Sequence, residues 1–210
     1  MRLIKQIFDI FFSIAGIIIL SPLLFIITIS IKLDDRGPIF FRQERAGKNS
    51  QLFKVYKFRT MVVGAEKKGT RFFVVKDDQR ITRVGKILRH TSLDELPQLI
   101  NILKGEMSVV GPRPALPYQI DNYTDRQKQR LKVKPGITGW SQVKGRSSLT
   151  WPERIEQDLW YIDNWSFWLD IKIILMTAKV VFERKNLYKP PVYDPISGEM
   201  KILDSDNDES

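Results

Sequence analysis

Residues 10–31 read IFFSIAGIIILSPLLFIITISI, a run without a charged residue. At about 22 residues it is long enough to cross a bilayer as a helix. It is too long for the apolar core of a secretory signal, and no small-residue cleavage pattern follows it. Ser21-Pro22 falls near its middle. Proline lacks the backbone donor and its ring crowds the preceding turn, so a kink or break is expected there. Each half then holds about 11 residues, roughly 17 Å of helix, closer to one leaflet than to two. Both flanks are basic, with Arg2 and Lys5 before the run and Lys32, Arg36, Arg42, Arg45 and Lys48 after it. The positive-inside rule gives such a span no single orientation, whereas a segment that enters one leaflet and returns satisfies the rule at both ends. Two readings stand on these residues. One is a re-entrant helix-break-helix over 1–33; the other is a proline-kinked span, since spanning helices tolerate proline.

The rest of the 210-residue chain is too polar to span and is long enough for one domain with its own core. With no cysteine and a single histidine, His90, it carries no disulfide, no thiolate metal site and no histidine cluster. A formal charge of +10, from 34 Lys+Arg against 24 Asp+Glu, favours anionic partners such as nucleic acid, anionic lipid or phosphate-bearing substrates. The expected organisation is a membrane segment at 1–33, a catalytic domain at 34–190 and an acidic tail at 191–210, disordered at its end. The fold class is α+β, mostly helical with a small β-hairpin or sheet.

Two β-rich runs, Ile39–Arg45 and Leu52–Met61, flank a turn with Gly47 and Asn49, which reads as a hairpin. In the second run Phe53, Val55, Lys57 and Arg59 alternate onto one face, so an apolar face ends in two cations. That describes either a strand opening into a polar site or an edge strand with solvated ends. Residues 64–82 read as an irregular charged stretch. Short helices are expected at Arg83–His90, Leu93–Leu103, Asp125–Val133 and Pro152–Asn164, with Pro/Gly-rich loops between. Phe167–Phe182 reads as an amphipathic helix, Lys172 and Lys179 on one face and Ile171, Ile174, Leu175, Ala178 and Val181 on the other.

Within LRHTSLDELPQLIN (88–101) two acids stand together, Asp94 and Glu95. Ser92 and Glu95 fit a capping box, an ordinary structural role. The first turn of a helix also favours negative charge, which predicts a lowered pKa for Asp94. An ionised carboxylate is unsuited to general acid work but can attack without a base. In so basic a chain its electrophile would be a phosphate ester or anhydride, with Mg²⁺ held by Glu95 and substrate phosphates. Arg113, between two prolines, and Arg146, in VKGRSS, are cations on stiff loops suited to phosphate oxygens.

Four segments in order carry a resemblance: KFRTM (57–61), ITRVGKILRHTSLDELPQLINILKGEMSVVGPRP (81–114), KPGITGWSQVKGR (134–146) and DLWYIDNWSFWLDIKII (158–174). With the Ser21-Pro22 segment, the chain to about residue 190 resembles the bacterial sugar transferases, the small monotopic phosphoglycosyl transferases. The resemblance implies transfer of a sugar-1-phosphate from a UDP-sugar to undecaprenyl phosphate, with release of UMP. It implies Mg²⁺ as cofactor and a covalent phosphosugar-aspartate on Asp94. It implies Glu95 as metal ligand, Lys57 and Arg89 as supports for the phosphates or the acid pair, and Arg59, Arg113 and Arg146 as substrate contacts. It also favours the re-entrant course broken at Ser21-Pro22, with the catalytic domain on the cytoplasmic face of the bacterial inner membrane. The expected partners are UDP-sugar, polyprenyl phosphate and membrane lipid, with no nucleic acid; the oligomeric state is open. The short N-terminus suggests a minimal catalytic form. Two further functions fit the residues alone: a membrane-bound phosphohydrolase with water as acceptor, and a non-catalytic basic module on a membrane.

Overall fold

The computed structural model describes residues 2–65, 78–145 and 149–183. Arg146, part of the charged stretch before Asp78 and the acidic tail lie outside the described residues. Among the described residues the fold is mostly helical with two small sheets, in keeping with the expected α+β class.

Helix α1, Arg2–Asp34, contains the whole apolar run and continues through Pro22, so the helix-break-helix expected at Ser21-Pro22 is not seen and the run is one continuous helix. Pro22 has no N–H to give the carbonyl of Ile18, four residues back. The Ser21 hydroxyl donates to that same carbonyl at 2.8 Å, so the group that proline would orphan keeps a partner. The helix is long and apolar enough to cross a membrane by length and composition. Leu3, Ile7, Ile10, Ile14, Ile18, Phe25 and Ile29 form an exposed apolar stripe along it, at spacings that keep one helix face.

The opposite face of α1 is packed on the domain along its length. Near its start Lys5 pairs with Asp170 at 2.5 Å, and Asp9 accepts from Ser108 Oγ and Val109 N, both at 3.0 Å. Near its end Ile27 and Ile31 cluster with Phe58 and Leu88. The Asp34 carboxylate accepts from Val84 N at 2.9 Å.

Strands β1, Phe40–Ala46, and β2, Leu52–Phe58, form the expected antiparallel hairpin, Phe40 facing Phe58 and Ala46 facing Leu52. Phe53 and Val55 enter the main core with Leu99, Ile102, Met107, Val110, Trp140 and Ile173. Helix α2, Arg83–Thr91, follows, then a single 3₁₀ turn, Leu93–Glu95, and helix α3, Gln98–Leu103. Gly85 lets α2 lie against the end of the hairpin, because a Cβ there would come within 2.1 Å of the Thr60 carbonyl oxygen. The Pro/Gly-rich loops hold a second, parallel pair: β3, Ser108–Val110, beside β4, Gly136–Thr138. Between and after these come α4 (Pro117–Asp121), α5 (Asp125–Lys128), the 3₁₀ turn Gln129–Lys132, α6 (Trp140–Lys144), α7 (Trp151–Asp163) and α8 (Phe167–Glu183).

Two local expectations are corrected. Ser92 does not open a capping box. It sits in the left-handed region at φ 59°, closes α2, and makes no side-chain cap. The S-x-x-E spacing is present, but Glu95 turns to cations from elsewhere in the fold. On α8 the buried face centres on Asp170 and Ile173, while Leu175 is 67% exposed and shares the outer face with Trp168. Asp170 can be interior because Lys5, Tyr161 and Trp165 all bond its carboxylate.

Candidate active site

The site forms where β2 meets the turn after α2. Asn101 on α3 fixes that meeting. It is fully buried, its Oδ1 accepts from Tyr56 N at 3.0 Å and its Nδ2 donates to the Lys54 carbonyl at 2.8 Å. One side chain thus satisfies a donor and an acceptor on the free edge of β2, groups that would otherwise be costly to bury. With α3 docked this way, the 3₁₀ turn faces the end of the strand.

Lys57, on the face that began with Phe53 and Val55, donates to Glu95 Oε1 at 2.6 Å. Arg113 Nη2 donates to the same oxygen at 3.2 Å. Burial works to raise the pKa of Glu95, but Lys57 and Arg113 outweigh it and hold the group well below the usual carboxylate range. Asp94 behaves oppositely. Burial first, and the neighbouring Glu95 charge second, push its pKa up to about 6 against the pull of Lys57, Arg89 and Arg113. The expected lowering of Asp94 is therefore corrected. A single 3₁₀ turn supplies little helix field, and desolvation beside a like charge is the larger effect. At neutral pH the group is still largely ionised. Among the described residues no hydrogen bond is made to its carboxylate, so its oxygens are available.

Arg89 Nε donates to Thr60 Oγ1 at 2.7 Å, which docks the end of α2 on the KFRTM segment. Arg59 points elsewhere. It is buried, paired with Asp35 Oδ2 at 2.8 Å and bonded to the Asp35 carbonyl at 2.6 Å, so it ties the end of α1 to the end of β2. The structure thus gathers Lys57, Arg89, Asp94, Glu95 and Arg113, and engages Arg59 with Asp35, the residue that follows α1. Arg45 was no site candidate, yet it lies beside them. Burial and the nearby Arg113 lower its pKa to about 10, and its Nη1 donates to the Pro114 carbonyl at 3.2 Å. The only hint in the sequence was an arginine one residue before the end of a strand, which is too common to single out.

No group of three or more acidic or histidine side chains able to hold a metal occurs among the described residues. The two adjacent carboxylates suit a hard cation that completes its shell with water and substrate phosphate, the usual habit of Mg²⁺. They do not form an all-protein cage.

A carboxylate with no hydrogen bond among the described residues, a second acid clamped by two cations, and a helix long and apolar enough to cross a membrane thus stand together in this chain. A family model described as bacterial sugar transferase matches residues 1–184, and the chain belongs to that family. An uncharacterized sugar transferase of Bacillus subtilis, EpsL, is 42% identical over 179 residues, covering 85% of this chain and 87% of the relative. The undecaprenyl-phosphate galactose phosphotransferase of Salmonella typhimurium is 41% identical, covering 89% of this chain and 42% of the relative. The UDP-glucose:undecaprenyl-phosphate glucose-1-phosphate transferase of Xanthomonas campestris is 44% identical, covering 88% of this chain and 40% of the relative. The chain thus spans nearly all of the first relative and about two fifths of the other two.

Proposed function

We propose that this protein transfers a sugar-1-phosphate from a UDP-sugar to undecaprenyl phosphate, releasing UMP, as the first membrane step of a glycoconjugate pathway. The observation that carries the reading is the Asp94–Glu95 pair set among Lys57, Arg89 and Arg113 beside a membrane helix. The activities named for the Salmonella and Xanthomonas relatives support it.

In the proposed mechanism an Asp94 oxygen attacks the phosphorus that bears the sugar. The bridging P–O bond breaks, and UMP leaves with the electron pair. The resulting acyl phosphate holds the sugar-phosphate on the protein. The phosphate oxygen of the lipid then attacks the same phosphorus, forming the polyprenyl diphosphate sugar and returning Asp94 as a carboxylate. Neither step needs a general base, because both nucleophiles are already anions. Lys57 and Arg113 offset the charge that would otherwise repel a diphosphate from two carboxylates. Glu95 would hold Mg²⁺, and the bound ion would supply charge neutralisation at the phosphate oxygens.

A water-soluble donor and a lipid acceptor must reach one carboxylate. We infer a monotopic placement of α1 in the cytoplasmic leaflet of the inner membrane, with both of its ends on the same side, because one domain holds Lys5 and Asp9 near its start and Asp34 and Asp35 at its end. The exposed apolar stripe of α1 and the exposed Trp168 would then meet lipid.

The test is UMP release by detergent-purified protein across a panel of UDP-sugars with Mg²⁺, with and without undecaprenyl phosphate. Turnover that requires the lipid supports the transferase and names the sugar. Sustained release without lipid assigns a hydrolase, and release from none of the sugars sinks the reading.

A further inference from the structure

We propose that Arg130, which no sequence feature marks, is a positioning residue that sets Arg113 against Glu95 by holding the backbone of its loop. This rests on the reading of Arg113 as a substrate-side cation. The loop Pro112-Arg113-Pro114 is unusual in how it is fixed. Two of its three residues are prolines and have no N–H to give. It is held instead through successive carbonyls. Pro112 O accepts from Gly136 N at 2.9 Å, Arg113 O from Arg130 Nη2 at 2.9 Å, Pro114 O from Arg45 Nη1 at 3.2 Å and Ala115 O from Ala46 N at 2.9 Å.

Arg130 is the donor at residue 113 itself, and it is placed for nothing in the solvent. Its side chain is 1% exposed. The same Nη2 pairs with Asp158 Oδ2 on α7, and Nη1 donates to the Tyr123 hydroxyl at 2.7 Å. Asp158 Oδ1 in turn accepts from Ser141 Oγ on α6 at 2.7 Å. Tyr123 and Asp158 thus meet on one guanidinium, with Ser141 holding Asp158 from behind, and the remaining contact of that guanidinium is the Arg113 carbonyl. A planar fork can serve these directions at once, and an ammonium cannot. A buried ion pair is a poor source of stability, since desolvation offsets most of its attraction. Holding geometry at a reactive site is a role that fits it better.

The test is a double-mutant cycle on the full-length protein, with Arg130→Lys made in the wild-type and in the Arg113→Ala background. Lysine keeps the charge opposite Asp158 but loses the fork. If Arg130 acts through Arg113, kcat/KM for the UDP-sugar falls about ten- to a hundredfold in the wild-type background, the scale of a misplaced site residue, and by less than about twofold once Arg113 is gone. Equal losses in both backgrounds, or no loss in the first, overturn the proposal. Hydrogen exchange over residues 111–115 is measured in the same proteins and does not depend on turnover. Faster exchange there, with the rest of the domain unchanged, is expected, and unchanged exchange overturns the holding role. If Arg130→Lys does not fold, Ser141→Ala loosens Asp158 with both charges kept, and the same criteria apply to it. Absence of UMP release from the wild type would sink the transferase reading, while the exchange arm still decides whether Arg130 holds the loop.

Discussion

Lys57 and Glu95 stand 38 positions apart in the chain and meet at 2.6 Å, which joins the end of a strand to the turn carrying the acid pair. This contact separates the two carboxylates chemically. Glu95 is held as an anion by its cations, and Asp94 is left with a raised pKa and, among the described residues, without a hydrogen bond. Adjacent acids whose environments push them apart can take different roles.

Asp94→Asn should abolish turnover, by roughly a thousandfold or more, since an amide cannot form the acyl phosphate. The fold should survive, because no described hydrogen bond depends on the Asp94 carboxylate. UMP release measured at saturating donor checks this, and an active variant removes Asp94 from the mechanism.

The raised pKa of Asp94 gives a pH dependence with a definite sign. The reactive form is the anion, so the rate should level off above about pH 6 and fall about tenfold per unit below it. Stability runs the other way. A carboxylate whose folded pKa lies above its unfolded value costs stability once it ionises in the fold. Asp94→Asn should therefore melt higher than wild type at pH 8, with the gap closing as pH falls from about 6 to about 4, between the folded and the ordinary carboxylate value. Thermal melts across that range read it directly.

Lys57→Met should leave Glu95 with Arg113 as its one ion-pair partner among the described residues. The Glu95 pKa should rise, and kcat/KM should fall on the order of a hundredfold, as for loss of one preorganised charge. A steady-state comparison with Lys57→Arg, which restores a cation, distinguishes charge from packing.

Much of this site was legible beforehand, and the reason is local. The hairpin follows from alternation and turn residues, and alternation placed Lys57 on the face of Phe53 and Val55, where it lies. The acid pair and Arg113 stood out through their neighbours in sequence. What spacing could not carry was partner choice. Ser92 and Glu95 matched a cap, but Glu95 is claimed by Lys57 and Arg113 across the fold, and Ser92 takes φ 59° to make the turn. The pKa of Asp94 was misjudged for the same reason, since burial is a tertiary quantity. Arg130 is invisible in sequence because a buried arginine reads like a surface one.

Arg59 pairs with Asp35 rather than with the acid pair. Arg59→Ala should lower stability by about 1–3 kcal/mol, the cost of stranding a partly buried partner. Asp35→Asn should reproduce much of that loss. If Arg59 instead contacts substrate, its replacement will raise KM in a way that Asp35→Asn does not, and the paired melts and KM values decide between them.

Ser21 and Pro22 should act as a unit. Pro22→Ala restores the N–H for Ile18 and favours a straight helix, which should move the chain toward a span. Because the chain has no cysteine, single cysteines at the two flanks of α1 report their side of the membrane without background. Both flanks should label from the cytoplasm in the parent, and one should become protected in Pro22→Ala. Identical labelling in both would show that proline does not set the course of the helix.

The most direct measurement is mass analysis of the purified protein after incubation with its UDP-sugar in the absence of lipid. The account predicts about one UMP released per protein, a sugar-phosphate adduct on the peptide carrying Asp94, and discharge of that adduct when undecaprenyl phosphate is added. UMP released only with lipid, and no adduct on Asp94 under any condition, would contradict it.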